Sequence, residues 1–209
     1  TQLDQIKRWG VRVLGCATTV DEALWLANQG VDAVIAQGLE AGGHRGSFLT
    51  QDMTTQTGTL ALVPRIRAAI ALPVIAAGGI ASTAGVAAAL ALGAAGVQVG
   101  TAFLLCTEAK TSPLHRAALR GGASQHTAIT NVFTGRPARS IVNRLVREVG
   151  PMAASTTAFP TAAGPVSALR AAAEATGSDD FTPLWCGQNA TGCREIAAAD
   201  LLKMLVSGL

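Results

Sequence analysis

The sequence predicts an α/β fold built on a parallel sheet with both faces covered. Three observations carry this. A unit of helix, glycine and valine-rich strand recurs, as Gly10-Val11-Arg12-Val13, Gly30-Val31-Asp32-Ala33-Val34 and Gly96-Val97-Gln98-Val99. Four strand-like runs alternate with helical ones, and such alternation implies parallel pairing through right-handed crossovers. The strand runs are also nearly continuous in apolar residues, as in a (β/α) barrel.

Each element has its own signal. Leu3, Ile6 and Lys7, with Gly10 behind them, read as the end of an amphipathic helix. Residues 11–16 are strand-like. Thr19 and Glu22 have capping-box spacing and open a helix through Ala23, Leu24, Leu26 and Ala27 that stops at Gly30. Residues 31–37 form the next strand. A polar connection over 49–58 leads to a helix over 59–70, where Pro64 is tolerated only near the first turn. A strand over 73–77 ends in Gly78-Gly79-Ile80, and Ser82 caps a helix running to Leu92. Residues 96–100 make the fourth strand, followed at once by Thr101-Ala102-Phe103-Leu104. Beyond Cys106 the pattern changes. Residues 112–120, 166–176 and 195–206 are helical. Residues 126–145 are mixed, 150–165 read as loop, and 184–192 form an irregular aromatic segment.

Composition narrows the function. The 209 residues are 49% hydrophobic and 14% charged, which fits one well-filled core and argues against disorder. The net charge of +3 is spread out, with no basic stripe interleaved with aromatics, so nucleic-acid binding is not expected. No apolar run approaches the ~20 residues of a membrane span, so no membrane partner is expected. Nothing at Thr1 reads as a secretory segment, and the expected location is cytoplasmic. Cys16, Cys106, Cys186 and Cys193 form no Cys-x-x-Cys pair, and buried free thiols are expected. His44, His115 and His126 lack ligand spacing, so no metal is expected.

The chemistry concentrates in residues 33–46. The apolar run Ala33-Val34-Ile35-Ala36 stops at Gln37-Gly38, and a glycine-rich loop follows with Glu40, His44 and Arg45. Gly42 and Gly43 can bring backbone close to a flat ligand. A base and a cation after a buried parallel strand mark where α/β proteins place reactions; the other reading is a polar surface loop with a solvated histidine. Gly78-Gly79 and Gly100-Thr101 end the last two strands of the series. In barrels the corresponding loops commonly bind phosphate through backbone N–H groups; singly, each is also an ordinary turn before a helix. Neither a Walker loop nor a dinucleotide glycine fingerprint is present.

These segments resemble nitronate monooxygenases, formerly 2-nitropropane dioxygenases. The match runs through residues 37–46, Ala76-Ala77-Gly78-Gly79-Ile80 and residues 96–104. It continues in Gly135-Arg136-Pro137-Ala138-Arg139 and Leu184-Trp185-Cys186-Gly187-Gln188. Flavin-dependent enoyl reductases share several of them. The resemblance implies an FMN-dependent TIM barrel, of which this chain supplies the C-terminal part of a (β/α)8 barrel. About four βα units fall in residues 1–110, and a helical and loop extension, not an independent domain, covers 111–209. It implies FMN contacts at Gln37, Gly42, Gly79, Gln98, Val99, Gly100 and Thr101, to which the glycine readings add Gly43 and Gly78. It implies His44 as the active-site base, and oxidation of an alkyl nitronate by dioxygen to a carbonyl compound and nitrite. Arg45 is expected to point outward and Glu40 to pair within its own loop. Where relatives often place tyrosines, this chain has Phe159-Pro160 and no tyrosine at all. Thr134 and Ser140 stand where serine and glycine are usual, and neither is given a catalytic role.

Two further readings are carried. One is an FMN-dependent NAD(P)H oxidoreductase acting on quinones or enoyl thioesters. The other is a non-catalytic half-barrel; a flavin-free barrel isomerase explains the Gly-Gly-His run poorly. Four strands cut from a barrel leave unpaired edges. The expected partner, besides substrate and dioxygen, is therefore an N-terminal half-barrel, as a second chain or by self-association.

Overall fold

The structure is a computed structural model and describes residues 2–209. Along the chain run α1 (Gln2–Lys7), β1 (Leu14–Ala17), α2 (Val20–Gln29), β2 (Ala33–Gln37) and β3 (Gly43–His44). There follow α3 (Thr59–Ala69), β4 (Val74–Ala77), α4 (Thr83–Ala91) and β5 (Gly96–Gln98). The remainder holds α5 (Pro113–Arg120), β6 (Thr127–Thr130), β7 (Ala138–Ile141), α6 (Arg144–Val149), α7 (Ala163–Ala175) and α8 (Ala198–Val206). The chain divides into two compact units. One comprises Thr1–Glu40, Gly46–Val99 and Leu205–Leu209; the other comprises Ala41–Arg45 and Gly100–Met204. No helix among the described residues is long and apolar enough to cross a membrane.

The first unit holds the expected parallel sheet, in the order β1-β2-β4-β5. Its register sets Cys16 opposite Ile35, and aligns Gln37 with Ala77 and Ala77 with Gln98. The strand ends that carry the glycine turns therefore share one rim. Val34, Ala36, Val74 and Ala76 are fully buried and pack with Leu62, Val63 and Ile66 of α3. Each of the larger side chains contributes about 1.5–3 kcal/mol by burial.

Local signals hold for the helix starts, with one correction. Thr19 caps α2 by accepting the Glu22 N–H, 3.2 Å. The reciprocal arm of the predicted capping box is absent. The fully buried Glu22 carboxylate accepts instead from Thr18 N–H and O–H, both 2.7 Å, and from the N–H groups of Phe48 and Leu49, 2.6 and 3.2 Å. It thereby ties the polar connection to the start of α2, and Gln56 Nε2 adds a donor to Thr18 Oγ1 at 2.8 Å. Ser82 caps α4 as expected. Pro64 lies in the second turn of α3, not the first, and leaves the Leu60 carbonyl without a helix donor. Leu60 is 71% exposed, so that turn lies on the solvent side.

The second unit departs from the expected helical and loop extension. It contains a three-stranded antiparallel sheet, β3-β7-β6. Thr127 pairs with Ile141 and Thr130 with Ala138, while Gly43 pairs with Arg139 and His44 with Ala138. Strands of two to four residues, rich in threonine and arginine, carry too little alternation to be read from sequence. The segment read as irregular is also extended at its start. Trp185 forms an antiparallel bridge with Ser140, Ile141 N–H donates to the Leu184 carbonyl at 2.9 Å, and Leu184 N–H donates to Ser140 Oγ at 3.1 Å. The Arg116 guanidinium donates to the carbonyls of Leu105, Cys106, Ala109 and Thr111. It thereby closes the 3-10 turn Thr101–Leu105 at its carbonyl end.

Replacing Glu22 by alanine would strand the buried N–H of Thr18 and the partly buried N–H groups of Phe48 and Leu49. Glu22→Ala is expected to lower the unfolding free energy by about 3 kcal/mol in equilibrium urea denaturation. A midpoint unchanged from the parent would show that this carboxylate does not anchor the loop.

Candidate functional site

In the first unit, five of the predicted cofactor residues lie on the shared rim. Gln37 ends β2, and its Oε1 accepts the Gly46 N–H at 2.8 Å, closing the base of the loop. Gly78 and Gly79 follow β4 with φ of +122° and +73°, conformations that side chains strain to adopt. The Gly78 carbonyl accepts the Thr59 hydroxyl at 3.0 Å. Gln98 ends β5 and is exposed; Val99 follows it, half-buried. Glu40 does not pair within its loop. Its carboxylate accepts from Thr59 N–H and Thr59 O–H at 2.9 Å and caps α3, whose own cap residue Gly58 has no side chain. An anion at that position suits the helix terminus.

In the second unit, Gly42, His44 and Thr101 meet one segment, Trp185-Cys186-Gly187. The space at Gly42 is taken by this chain: a Cβ there would lie 2.5 Å from Gly187 N and 2.6 Å from the Cys186 carbonyl carbon. Packing against residues 186–187 therefore requires a residue without a Cβ at this position, independently of any ligand. Gly43, with φ of +76°, has nothing within 4 Å of its Cβ position. Gly187 N–H donates to Thr101 Oγ1 at 2.9 Å, which leaves the Thr101 hydroxyl proton for another acceptor. A Cβ on Gly100 would also meet open space. The helix expected after Gly100 is a 3-10 turn, Thr101–Leu105, so any anion there meets backbone N–H groups and a hydroxyl rather than a long helix dipole.

His44 sits on β3 and is exposed. Its ring lies 5.2 Å, centroid to centroid, from Trp185 and 6.0 Å from Phe159. Phe133 meets Trp185 edge-on at 5.6 Å. On the Nε2 side, His44 is 3.0 Å from Thr134 Oγ1. The same hydroxyl contacts the backbone of Arg136, donating to its carbonyl at 3.3 Å and accepting its N–H at 3.4 Å. Thr134, left without a role by the sequence, is thus the imidazole's hydrogen-bond partner. Arg136 Nη2 donates to the Arg45 carbonyl at 3.1 Å. Arg45 does not point outward; it is 1% exposed. The motif Gly135-Arg136-Pro137-Ala138-Arg139 marked the right region, and the tryptophan in Leu184-Trp185-Cys186-Gly187-Gln188 the right wall. Neither named which side chain faces His44.

Burial, and after it the Arg136 charge, hold the His44 pKa below its ordinary value. His115 on α5 is depressed as well, chiefly by burial, against a smaller opposing effect from its hydrogen bond to the Trp185 backbone. All four cysteines are free; Cys106 is buried as expected and Cys186 is buried too, whereas Cys16, expected to be buried, and Cys193 are only partly so. Burial pushes the Cys186 thiol up to about 12, and raises Cys106 and Cys193. Among the described residues, no group of three His, Cys, Asp or Glu side chains could hold a metal ion.

The sign of the histidine shifts gives a test. As pH falls through the ordinary value of 6.5, the unfolded chain takes up protons before the folded one, so stability is lost below that pH and kept above it. Imidazole NMR titration is expected to place the midpoints of His44 and His115 below 6.5, with the unfolding temperature falling over the same range. Midpoints at or above that value would remove the burial argument.

The nitronate monooxygenase family model matches residues 1–208. Similar proteins include a nitronate monooxygenase of Pseudomonas aeruginosa, 44% identical over 209 residues, covering 100% of this chain and 60% of the relative. A probable nitronate monooxygenase of Bacillus subtilis is 39% identical over 205 residues, 98% of this chain and 58% of the relative. A nitroalkane oxidase structure from Streptomyces ansochromogenes superposes with a TM-score of 0.89 at 40% identity, covering 98% of this chain and 59% of that one. A structure of FabK from Thermotoga maritima gives a TM-score of 0.73 at 28% identity, over 97% of this chain and 62% of that one. The chain spans about 60% of the length of the Pseudomonas relative. With the family model matching residues 1–208, the chain belongs to the nitronate monooxygenase family.

Proposed function

We propose that this chain forms part of an FMN-dependent (β/α)8 barrel that oxidises alkyl nitronates or nitroalkanes with dioxygen, giving a carbonyl compound and nitrite. The observation that carries the reading is His44: an imidazole held at Nε2 by Thr134 and flanked by Trp185 and Phe159, with its pKa lowered by burial and the Arg136 charge. A carbon acid such as a nitroalkane needs a neutral base to take its α-proton, and an imidazole depressed below 6.5 is that base at neutral pH. With a nitronate the proton is already gone, and the same ring donates to or accepts from the bound anion. Thr134 sets the ring's orientation.

FMN is the cofactor this reading requires. The residues present fit it in kind: positive-φ glycines on one strand-end rim, an exposed Gln98 there, open space at Gly100 and an uncommitted hydroxyl proton on Thr101. The proposed FMN contacts are Gln37, Gly78, Gly79, Gln98 and Val99 among the residues of the first unit, and Gly42, Gly43, Gly100 and Thr101 among those of the second. When bound, FMN supplies the electron transfer between the carbon acid and dioxygen, and the protein positions and protonates. Residues 1–110 would then be barrel and 111–209 its extension. Further barrel strands would pair at β1 and β5, each of which pairs on one side only among the described residues.

Two outcomes test the roles. His44→Ala is expected to retain bound flavin and to slow turnover of a neutral nitroalkane by about 10²–10⁴-fold, read as nitrite release; an unchanged rate would exclude His44 as base. Gly100→Val places its side chain in open space, so the fold should tolerate it. Its flavin occupancy, measured from the visible spectrum, should nevertheless fall if the phosphate lies there. Full occupancy would move the anion elsewhere. NADH consumption with a quinone, without nitrite release from a nitronate, would favour the reductase reading.

A further inference from the structure

In the second unit, α5 presents a histidine to the segment that borders His44. Ser112 caps α5 by accepting the His115 N–H at 3.3 Å, which puts His115 in the first turn. Ala118 and Leu119 follow it by three and four positions and share its face of the helix. Both are buried and pack with Leu184 and Cys186. His115 therefore stands on the side of α5 that covers residues 184–186.

The register of that segment turns one peptide group towards α5. Ile141 N–H donates to the Leu184 carbonyl, and Cys186 N–H donates to the Arg139 carbonyl. The Ser140–Trp185 pair between them thus exchanges no backbone hydrogen bond, and the N–H and carbonyl of Trp185 point away from β7. On that free side the His115 ring meets the Trp185 backbone in a hydrogen bond that favours the protonated ring, so the ring donates and the carbonyl accepts. His115 Nε2 is buried and has no hydrogen-bond partner. The donor is therefore Nδ1, and the neutral ring keeps a bare lone pair on Nε2.

We propose that His115 is a positioning residue for the His44 site: its Nδ1–H fixes the Trp185 carbonyl on the side that β7 leaves free, and so sets where the indole stands beside His44. This rests on the reading that His44 acts on the substrate. Pairing with β7 holds the segment along one edge only, and a strand held along one edge can still roll about its axis. The His115 bond holds the opposite edge. What it steadies is the indole 5.2 Å from the His44 ring and, two residues on, the Gly187 N–H that donates to Thr101 Oγ1. The neutral ring is the form this needs, because a second proton on Nε2 would be buried without an acceptor. The lowered His115 pKa, caused first by burial, agrees.

The first measurement needs no substitution. In the parent protein labelled with nitrogen-15 histidine, NMR at neutral pH should show the Nδ1–H tautomer at His115. An Nε2–H tautomer or a charged ring would overturn the proposal. Two variants then read the consequence. His115→Phe keeps the bulk of the ring and loses the donor, whereas His115→Asn sets an amide N–H near the place of Nδ1. The nuclear Overhauser effect between the His44 and Trp185 ring protons should be lost in His115→Phe and return in His115→Asn. With flavin bound, kcat/KM for 1-nitropropane, read as nitrite, should fall about tenfold in the first variant and recover in the second. A lower unfolding temperature in His115→Phe with the ring contact of the parent would make the residue merely structural and overturn the proposal. A ring contact that depends on His115, in a parent that releases no nitrite, would refute the nitroalkane reading and leave this assignment standing. Nitrite release by His115→Phe at the parent rate would do the reverse.

Discussion

The second unit depends on a short backbone ladder. Residues 184–187 lie along β7, joined by the Ser140–Trp185 bridge and by hydrogen bonds at Leu184 and Cys186. From that one extended segment come the indole beside His44, the peptide that fills the space at Gly42 and the N–H that turns the Thr101 hydroxyl. Backbone pairing fixes such positions more firmly than side-chain packing would, because each N–H and carbonyl has one place to go. A slip of one residue would exchange Trp185 for a neighbour pointing to the other face.

The first unit is held by a different device, the long reach of two carboxylates. Glu22 and Glu40 each collect N–H donors from distant loop or helix starts. Glu40 takes the place of a local cap by serving a glycine-capped helix, whereas Glu22 leaves the capping box that Thr19 opens and holds the loop instead. The loop between β2 and α3 is thus tethered at two points, at Phe48-Leu49 and at Thr59. The rim glycines Gly78 and Gly79 stand on a base that includes Thr59.

How much of this the sequence disclosed follows from the separation between partners. Helix starts at Thr19, Ser82 and Ser112 were legible because each cap closes within three residues. The parallel strands were legible because burial on both faces leaves an unbroken apolar run. Thr134 was not, since it meets His44 across 90 positions, and neither was Glu40, which meets Thr59 across 19. Arg45 read as a surface residue because nothing nearby in sequence shows that the chain folds over it. The antiparallel sheet was hidden for a further reason: its strands are short, and polar residues such as Arg139, Ser140 and Thr130 are buried in them.

The thiols of the second unit have a consequence for durability. Cys106, Cys186 and Cys193 are all held in the protonated state, the second of them with its pKa near 12. Sulfur attacks peroxides and alkylating agents as the thiolate, so these three side chains are poor nucleophiles despite their number. This unit can therefore keep several cysteines whose small apolar volume fills space without inviting sulfenic acid formation.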